Sequence, residues 1–326
     1  TDEAPRPDTL GVAIKPRATR RPGPPNDQPL TLHRLPMSRI VVALLWLLHW
    51  LPLSIQAPIG RAIGLLLYAI IAPRRKVTLT NLRLCFPELS EAERRKLARE
   101  HFALAGRSLV ERGLAWFASE ERIRRLVRVD REDMLKKLVD AGQPVILLTP
   151  HFLGLDLGGT RMAISFNCVS IYARQKDAVI DRWLFHGRSR FGNQLLLRRD
   201  ESIRASIKAM KEPRPFYYLP DMDNGPSESV FVPFFGVQAA TLAALPRFAK
   251  LGAAVVVPCV SRILPGGRGY VVELGDPWEH FPGTSVEADA RRMNEFLEDR
   301  IRTMPAQYYW VHRRFKTRPP GEPKVY

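Results

Sequence analysis

From residue 144 onward the chain alternates short apolar runs with segments of helical period. This rhythm narrows the possible folds more than any other feature. Pro144-Val-Ile-Leu-Leu-Thr149 reads as a buried strand. Residues 169–173, 194–197, 216–219, 253–260 and 270–274 read as further strands. Helices are expected over residues 178–191, 202–211, 239–251 and 286–304. Upstream, Ser90-Glu-Ala-Glu93 forms a capping box, followed by Leu97, Phe102, Ala105 and Leu109 at helical spacing. A second helix over residues 133–141 stops at Gly142. Strands alternating with helices predict an α/β fold, with a mostly parallel or mixed central sheet covered by helices on both faces. No internal repeat and no linker interrupts the chain after residue 80, so residues 73–326 read as one catalytic-sized domain.

The chain ahead of this domain is of a different kind. Residues 1–38 are rich in Pro and Arg, without apolar periodicity, and read as a disordered arm. Two apolar runs follow, residues 40–53 and 62–72, interrupted by Pro52 and Pro58 and flanked by Arg39, Arg61, Arg74, Arg75 and Lys76. Each run falls short of the ~20 residues that cross a bilayer. Residues 39–72 allow a shallow hairpin seated in one leaflet, one kinked and tilted span, or a pair of buried core helices. Trp46 and Trp50 beside basic flanks favour a membrane anchor, with the domain that follows on the cytoplasmic face. The run starts too late for a signal peptide, and no small-residue cleavage site follows it.

Fifty Lys and Arg against 33 Asp and Glu give a net charge of +17, which asks for an anionic partner. A nucleic acid is one possibility, but the charges are scattered and no helix-turn-helix, zinc-finger or RNP signature is present. The three cysteines, Cys85, Cys168 and Cys259, lie far apart, which argues against a zinc ribbon or a disulfide scaffold. A Gly-x-Ser-x-Gly elbow is also missing, so a serine hydrolase is set aside.

Ligands of open α/β sheets bind beyond the carboxyl ends of the strands. The loops after Thr149, Ala173 and Leu219 are therefore where chemistry is expected. The first holds His151-Phe-Leu-Gly-Leu-Asp156, a His-x4-Asp pair. On one regular helix the two side chains would not share a face. They meet if His151 lies in the turn before a helix and Asp156 in its first turns. Asp156 then fixes the imidazole tautomer, and the free nitrogen serves as general base. By spacing alone, a histidine capping a helix terminus remains equally open.

More of the chain joins this segment. Tyr172-Ala-Arg174, Leu219-Pro-Asp221-Met-Asp223-Asn-Gly225 with residues 230–241 after it, Val257-Pro258, and Tyr309-Trp-Val-His312-Arg-Arg314-Phe-Lys316-Thr-Arg318 follow in order. Together these blocks resemble the late acyltransferases of lipid A biosynthesis, within the glycerolipid acyltransferase superfamily. The resemblance covers roughly residues 35–320. It departs from the family pattern at Met222, where Gln is expected, and in the long amino-terminal arm.

The resemblance implies transfer of a fatty acyl chain from acyl carrier protein to a hydroxyl of a lipid A precursor, at the bacterial inner membrane. It implies that His151 is the base and Asp156 its orienter. Arg174 and Arg314 would meet the anionic acceptor, and Asp221 and Asp223 would order the site or position Arg174. No cofactor and no metal are implied, and no acyl-enzyme, so no cysteine need act as nucleophile. Phospholipid is the remaining expected partner, through the anchor. Phe231, Phe234 and Phe235 are candidates to line the acyl slot, or else plain core. Another acceptor, such as a glycerophosphate, an ornithine lipid or a glycosylated inositol lipid, would suit the same dyad.

Overall fold

The computed structural model describes residues 37–198, 203–210, 212 and 214–326. Most of the expected Pro/Arg arm lies outside them. From Pro36 to Tyr326 the chain forms one compact unit. The helices are α1 (Met37–Leu48), α2 (Leu53–Ile70), α3 (Ala72–Cys85), α4 (Glu91–Phe117), α5 (Glu120–Leu126), α6 (Glu132–Asp140), α7 (Leu155–Ser165), α8 (Ala178–Ser189), α9 (Ile203–Met210), α10 (Ala244–Gly252) and α11 (Val286–Thr303). The strands are β1 (Val127–Asp130), β2 (Val145–Leu148), β3 (Val169–Tyr172), β4 (Leu195–Arg198), β5 (Phe216–Tyr218), β6 (Ser229–Phe234), β7 (Val237–Leu242), β8 (Val255–Ile263) and β9 (Tyr270–Leu274).

Seven strands make the central sheet in the order β1-β9-β8-β2-β5-β3-β4. All neighbours run parallel except β8 and β9. The sheet is thus mostly parallel, as the alternation of apolar runs predicts. Its central strand β2 is buried at every position, which requires an apolar layer on each face. One layer gathers Ile146, Leu148, Phe216, Tyr218 and Phe248 with Met293 and Leu297 of α11. The other gathers Val145, Leu147 and Tyr217 with Leu157 and Met162 of α7 and Leu114 of α4.

Two sequence expectations change. Residues 239–251 do not form one helix. Val237–Leu242 is the second strand of an antiparallel β6–β7 hairpin, and the helix starts only at Ala244. The β-forming run 230–235 and the turn at Phe235-Gly236, both at positive φ, give that hairpin its register. The second change concerns the apolar runs. The chain breaks at residues 49–52, with Pro52 as the N-cap of α2, which excludes one continuous kinked helix, and α2 runs through Pro58 rather than being interrupted there.

Among the described residues α2 is the one helix long and apolar enough to cross a membrane, at 18 residues and a mean hydropathy of 1.4. One of its faces is nevertheless packed on α4. Gly64 faces Phe102 so closely that a Cβ would stand 2.0 Å from the Phe102 carbonyl oxygen. Gly106 returns the contact on the backbone of Gly60 and Gly64. Arg61 adds a two-pronged ion pair to Glu100 at 2.7 and 2.8 Å. The opposite face exposes Ile55, Ile63, Leu65, Leu66 and Ile70, and α1 exposes Ile40, Leu44, Trp46 and Leu47.

Candidate active site

Sheet register brings the site together. Leu148 of β2 pairs with Tyr218 of β5 in parallel. Three residues beyond each partner stand His151 and Asp221. Thr149 N–H extends the ladder by donating to the Tyr218 carbonyl at 2.9 Å. Both loops therefore leave the carboxyl edge side by side, and the two side chains meet.

The contact has two prongs. The backbone N–H of His151 donates to Asp221 Oδ2 at 2.9 Å. Its ring Nδ1 lies 2.6 Å from Asp221 Oδ1. A carboxylate at this distance calls for a proton on Nδ1, which leaves the Nε2 lone pair for a reactant. The Asp221 side chain is 1% exposed. Burial alone would raise its carboxyl, but the charge and hydrogen bonds of His151 outweigh burial and hold it below the usual carboxylate range. The His151 carbonyl accepts from Tyr309 N–H at 3.0 Å, so the carboxy-terminal segment clamps the same turn.

Asp156 sits in the first turn of α7, with His151 in the turn before the helix, as the spacing suggests. The hydrogen bond expected between them is not the one formed. Arg112 of α4 takes the Asp156 carboxylate through Nε and Nη2, at 2.8 and 2.6 Å. Burial works to raise the Asp156 carboxyl. The charges of Arg112 and Arg188, with a smaller contribution from His151, overcome that and lower it. Gly158 lets α7 lie this close to β8, since a Cβ there would come 2.0 Å from Ser261 Oγ.

His151 and Asp156 both face a cavity of about 570 Å³. Down one wall run Asp156, Gly159, Thr160 and Ala163, spaced so that one face of α7 lines it. Tyr217 and Tyr218 contribute from opposite sides of β5. Strands β5 and β3 pair only at Val169–Phe216 and Ser170–Tyr217, so the sheet opens beyond these residues. Leu242 and Phe248 add apolar surface, and Arg188 and Arg247 add positive charge. Cys168 also lines the cavity. Its thiol is pushed up to about 12, chiefly by burial, so it holds no thiolate near neutral pH. Among the described residues no cluster of three His, Cys, Asp or Glu side chains could hold a metal ion.

The other expected site residues lie elsewhere. Arg174 is at the rim, its side chain 74% exposed and 3.9 Å from Asp181, while its neighbours Ala173 and Gln175 line the cavity. Asp223 is buried and anchors the carboxy-terminal segment. It accepts from Thr317 N–H at 2.6 Å, Thr317 Oγ1 at 2.8 Å and Gly225 N–H at 3.0 Å. Its own N–H donates to Nε2 of His312 at 3.0 Å. Arg314 is 1% exposed and is not in the wall of the His151 cavity. Its guanidinium bonds the Ala240 carbonyl at 2.7 Å and Thr241 Oγ1 at 3.0 Å, and lies over Phe234 at 4.8 Å. It therefore latches the hairpin to the carboxy-terminal segment. Phe234 is core and Phe231 and Phe235 are not among the cavity walls, so the aromatic cluster is structural. Arg112 and Arg188 escaped the sequence reading, because each is one arginine on an arginine-rich helix without a local motif.

A family model for bacterial lipid A biosynthesis acyltransferases matches residues 28–317. The chain belongs to that family. It is 37% identical over 286 residues to the lipid A biosynthesis lauroyltransferase of Escherichia coli K12, covering 87% of this chain and 93% of that protein. The palmitoleoyltransferase of the same organism is 32% identical, covering 87% and 92% of the two chains. The myristoyltransferase is 32% identical, covering 84% and 85%. This family member is thus an acyltransferase.

Proposed function

We propose that the enzyme transfers a fatty acyl chain from the thioester of acyl carrier protein to a hydroxyl of a lipid A precursor. The observation that carries this reading is the imidazole of His151, held at Nδ1 by buried Asp221, with Nε2 left to a cavity of mixed polar and apolar walls. In the first step Nε2 takes the proton of the acceptor hydroxyl as its oxygen attacks the thioester carbon. The carbonyl electron pair moves onto oxygen. When that pair returns, the C–S bond breaks and the thiol leaves with the proton from the imidazolium. Asp221 stabilises the imidazolium between the two events. Asp156, fixed by Arg112, adds a second negative charge near the ring.

Arg188 and Arg247 supply charge for the phosphates of the acceptor or of the carrier's prosthetic arm. The leucine, glycine and aromatic walls suit a hydrocarbon chain. The exposed apolar faces of α1 and α2 seat the enzyme on the inner membrane, with the cavity on the cytoplasmic side where an acyl carrier protein is found.

The test is a mass spectrum of lipid A from a strain lacking its secondary acyltransferase, complemented with this protein or with His151→Ala. Wild type should add one acyl mass, and the variant should lose ~10²–10⁴-fold in rate while staying folded. Unchanged lipid A with well-expressed wild type would remove lipid A as the acceptor. Full activity in His151→Ala would remove the base.

A further inference from the structure

Away from the His151 cavity, α1, the end of α4 and the start of α8 border a second, open hollow of about 310 Å³. Val42, Ala43, Trp46, Phe117, Val179 and Trp183 line it, and Arg39 is its one charged wall residue. The floor is preassembled. Trp183 stacks on Trp116 at 6.1 Å and meets Phe117 at 4.7 Å. On the outer side the exposed Ile40, Leu44, Leu47 and Trp50 continue the apolar surface of α1. Arg39 is exposed and has no hydrogen bond or ion pair with any described residue. The carboxylate beside Val179, Asp177, is occupied in capping α8 through the N–H groups of Val179 and Ile180.

We propose that this hollow binds one acyl chain of an anionic phospholipid, with the lipid phosphate on Arg39. An apolar, aromatic-floored recess takes hydrocarbon without stranding a polar group. An unpaired guanidinium at its rim takes the phosphate through paired donors. A flat apolar face would account for adsorption to a bilayer, whereas a recess with one cation beside it accounts for holding an individual lipid. The proposal stands whichever hydroxyl the His151 site acylates.

The experiment is native mass spectrometry of the purified full chain with phosphatidylglycerol or phosphatidylcholine, beside flotation on vesicles of each. Wild type should hold one phosphatidylglycerol per chain, with about a fivefold preference over phosphatidylcholine, as one interfacial charge implies. Ala43→Phe fills the recess and keeps the surface apolar. It should lose the bound lipid yet still float with vesicles. Arg39→Glu, at an exposed position, should keep its melting temperature and lose the preference. Lipid retained at full stoichiometry in Ala43→Phe, or a preference unchanged in Arg39→Glu, would overturn the proposal. So would a free fatty acid binding as tightly as the phospholipid.

Discussion

Two carboxylates lie beside one cavity and have different partners, Asp156 in the cavity wall and Asp221 buried against the His151 ring. Asp221 is bound to an imidazole, and Asp156 is bound to a guanidinium. The sequence spacing points to Asp156, five residues from His151, and the fold hands the imidazole to Asp221, seventy residues away. A short separation along the chain is a weaker guide to contact than adjacency of strands. β2 and β5 are neighbours, and equal offsets beyond Leu148 and Tyr218 put His151 against Asp221. Asp156 is in the first turn of α7, where it meets Arg112 of α4. One carboxylate thus holds the imidazole, and the other is tied to α4 in the cavity wall.

The largest break in this comparison is Asp221→Asn. It keeps size and removes the charge that holds the tautomer and stabilises the imidazolium. Acyl transfer should fall ~10²–10⁴-fold, close to the loss from His151→Ala. The double variant should be no worse than either single one, because the two residues act as a unit. Asp156→Asn should cost far less, about tenfold, since only a neighbouring charge worth ~1–2 kcal/mol is lost. Steady-state rates of the four proteins against one acyl carrier protein donor measure the contrast. Equal losses in Asp221→Asn and Asp156→Asn would show that both carboxylates serve the ring.

Six of the seven central strands were legible because each holds a mainly apolar run, whereas the alternating charges of β1, Val-Arg-Val-Asp, hid it. The β6–β7 hairpin misled, since Ala239-Ala-Thr-Leu242 has helix-compatible residues and its strand state comes from pairing with 229–232. The position of His151 beyond the strand was legible because its loop leaves a buried apolar run. The Asp221 contact was not, because strand order is absent from a linear pattern. Arg314 shows the reverse error. It sits in a basic run that suggests a solvated or ligand-binding surface, yet Thr241 and Asn294, both distant in sequence, surround it in the interior. Burial of a single arginine depends on such remote partners, and no local signal carries them.

Acid separates the two sides of the site. His312 supports the Asp221 loop, and its imidazole is lowered from 6.5 to about 4, first by burial. His101, under the same carboxy-terminal segment through the Ala306 carbonyl, is also lowered to about 4, again by burial. A histidine held neutral in the fold binds a proton in the unfolded chain first. Stability is therefore complete above pH 6.5 and declines as pH falls toward 4, by about 1.4 kcal/mol per unit for each histidine at most. The Arg112–Asp156 pair does not titrate in that window, because its carboxyl is lowered. Thermal unfolding between pH 7 and 4.5 should show this slope, and His312→Gln should flatten part of it. A slope unchanged by that substitution would place the acid sensitivity elsewhere.

Arg174 gives the smallest expected effect. Its side chain is three-quarters in water, and its contact with Asp181 is long, at 3.9 Å. Exposed charge pairs of this kind contribute ~0–1 kcal/mol. An acceptor phosphate reaching the rim would gain about the same, so Arg174→Ala should raise KM a few-fold and leave kcat near wild type. Arg188→Ala, inside the cavity, should do more, because desolvation strengthens a charge contact. Titrating acceptor at saturating donor separates the two. A large fall in kcat for Arg174→Ala would mean that the rim folds inward when the acceptor binds, bringing that guanidinium to the reacting atoms. The cation nearest the chemistry would then be the one the sequence motif marks rather than the one in the cavity wall.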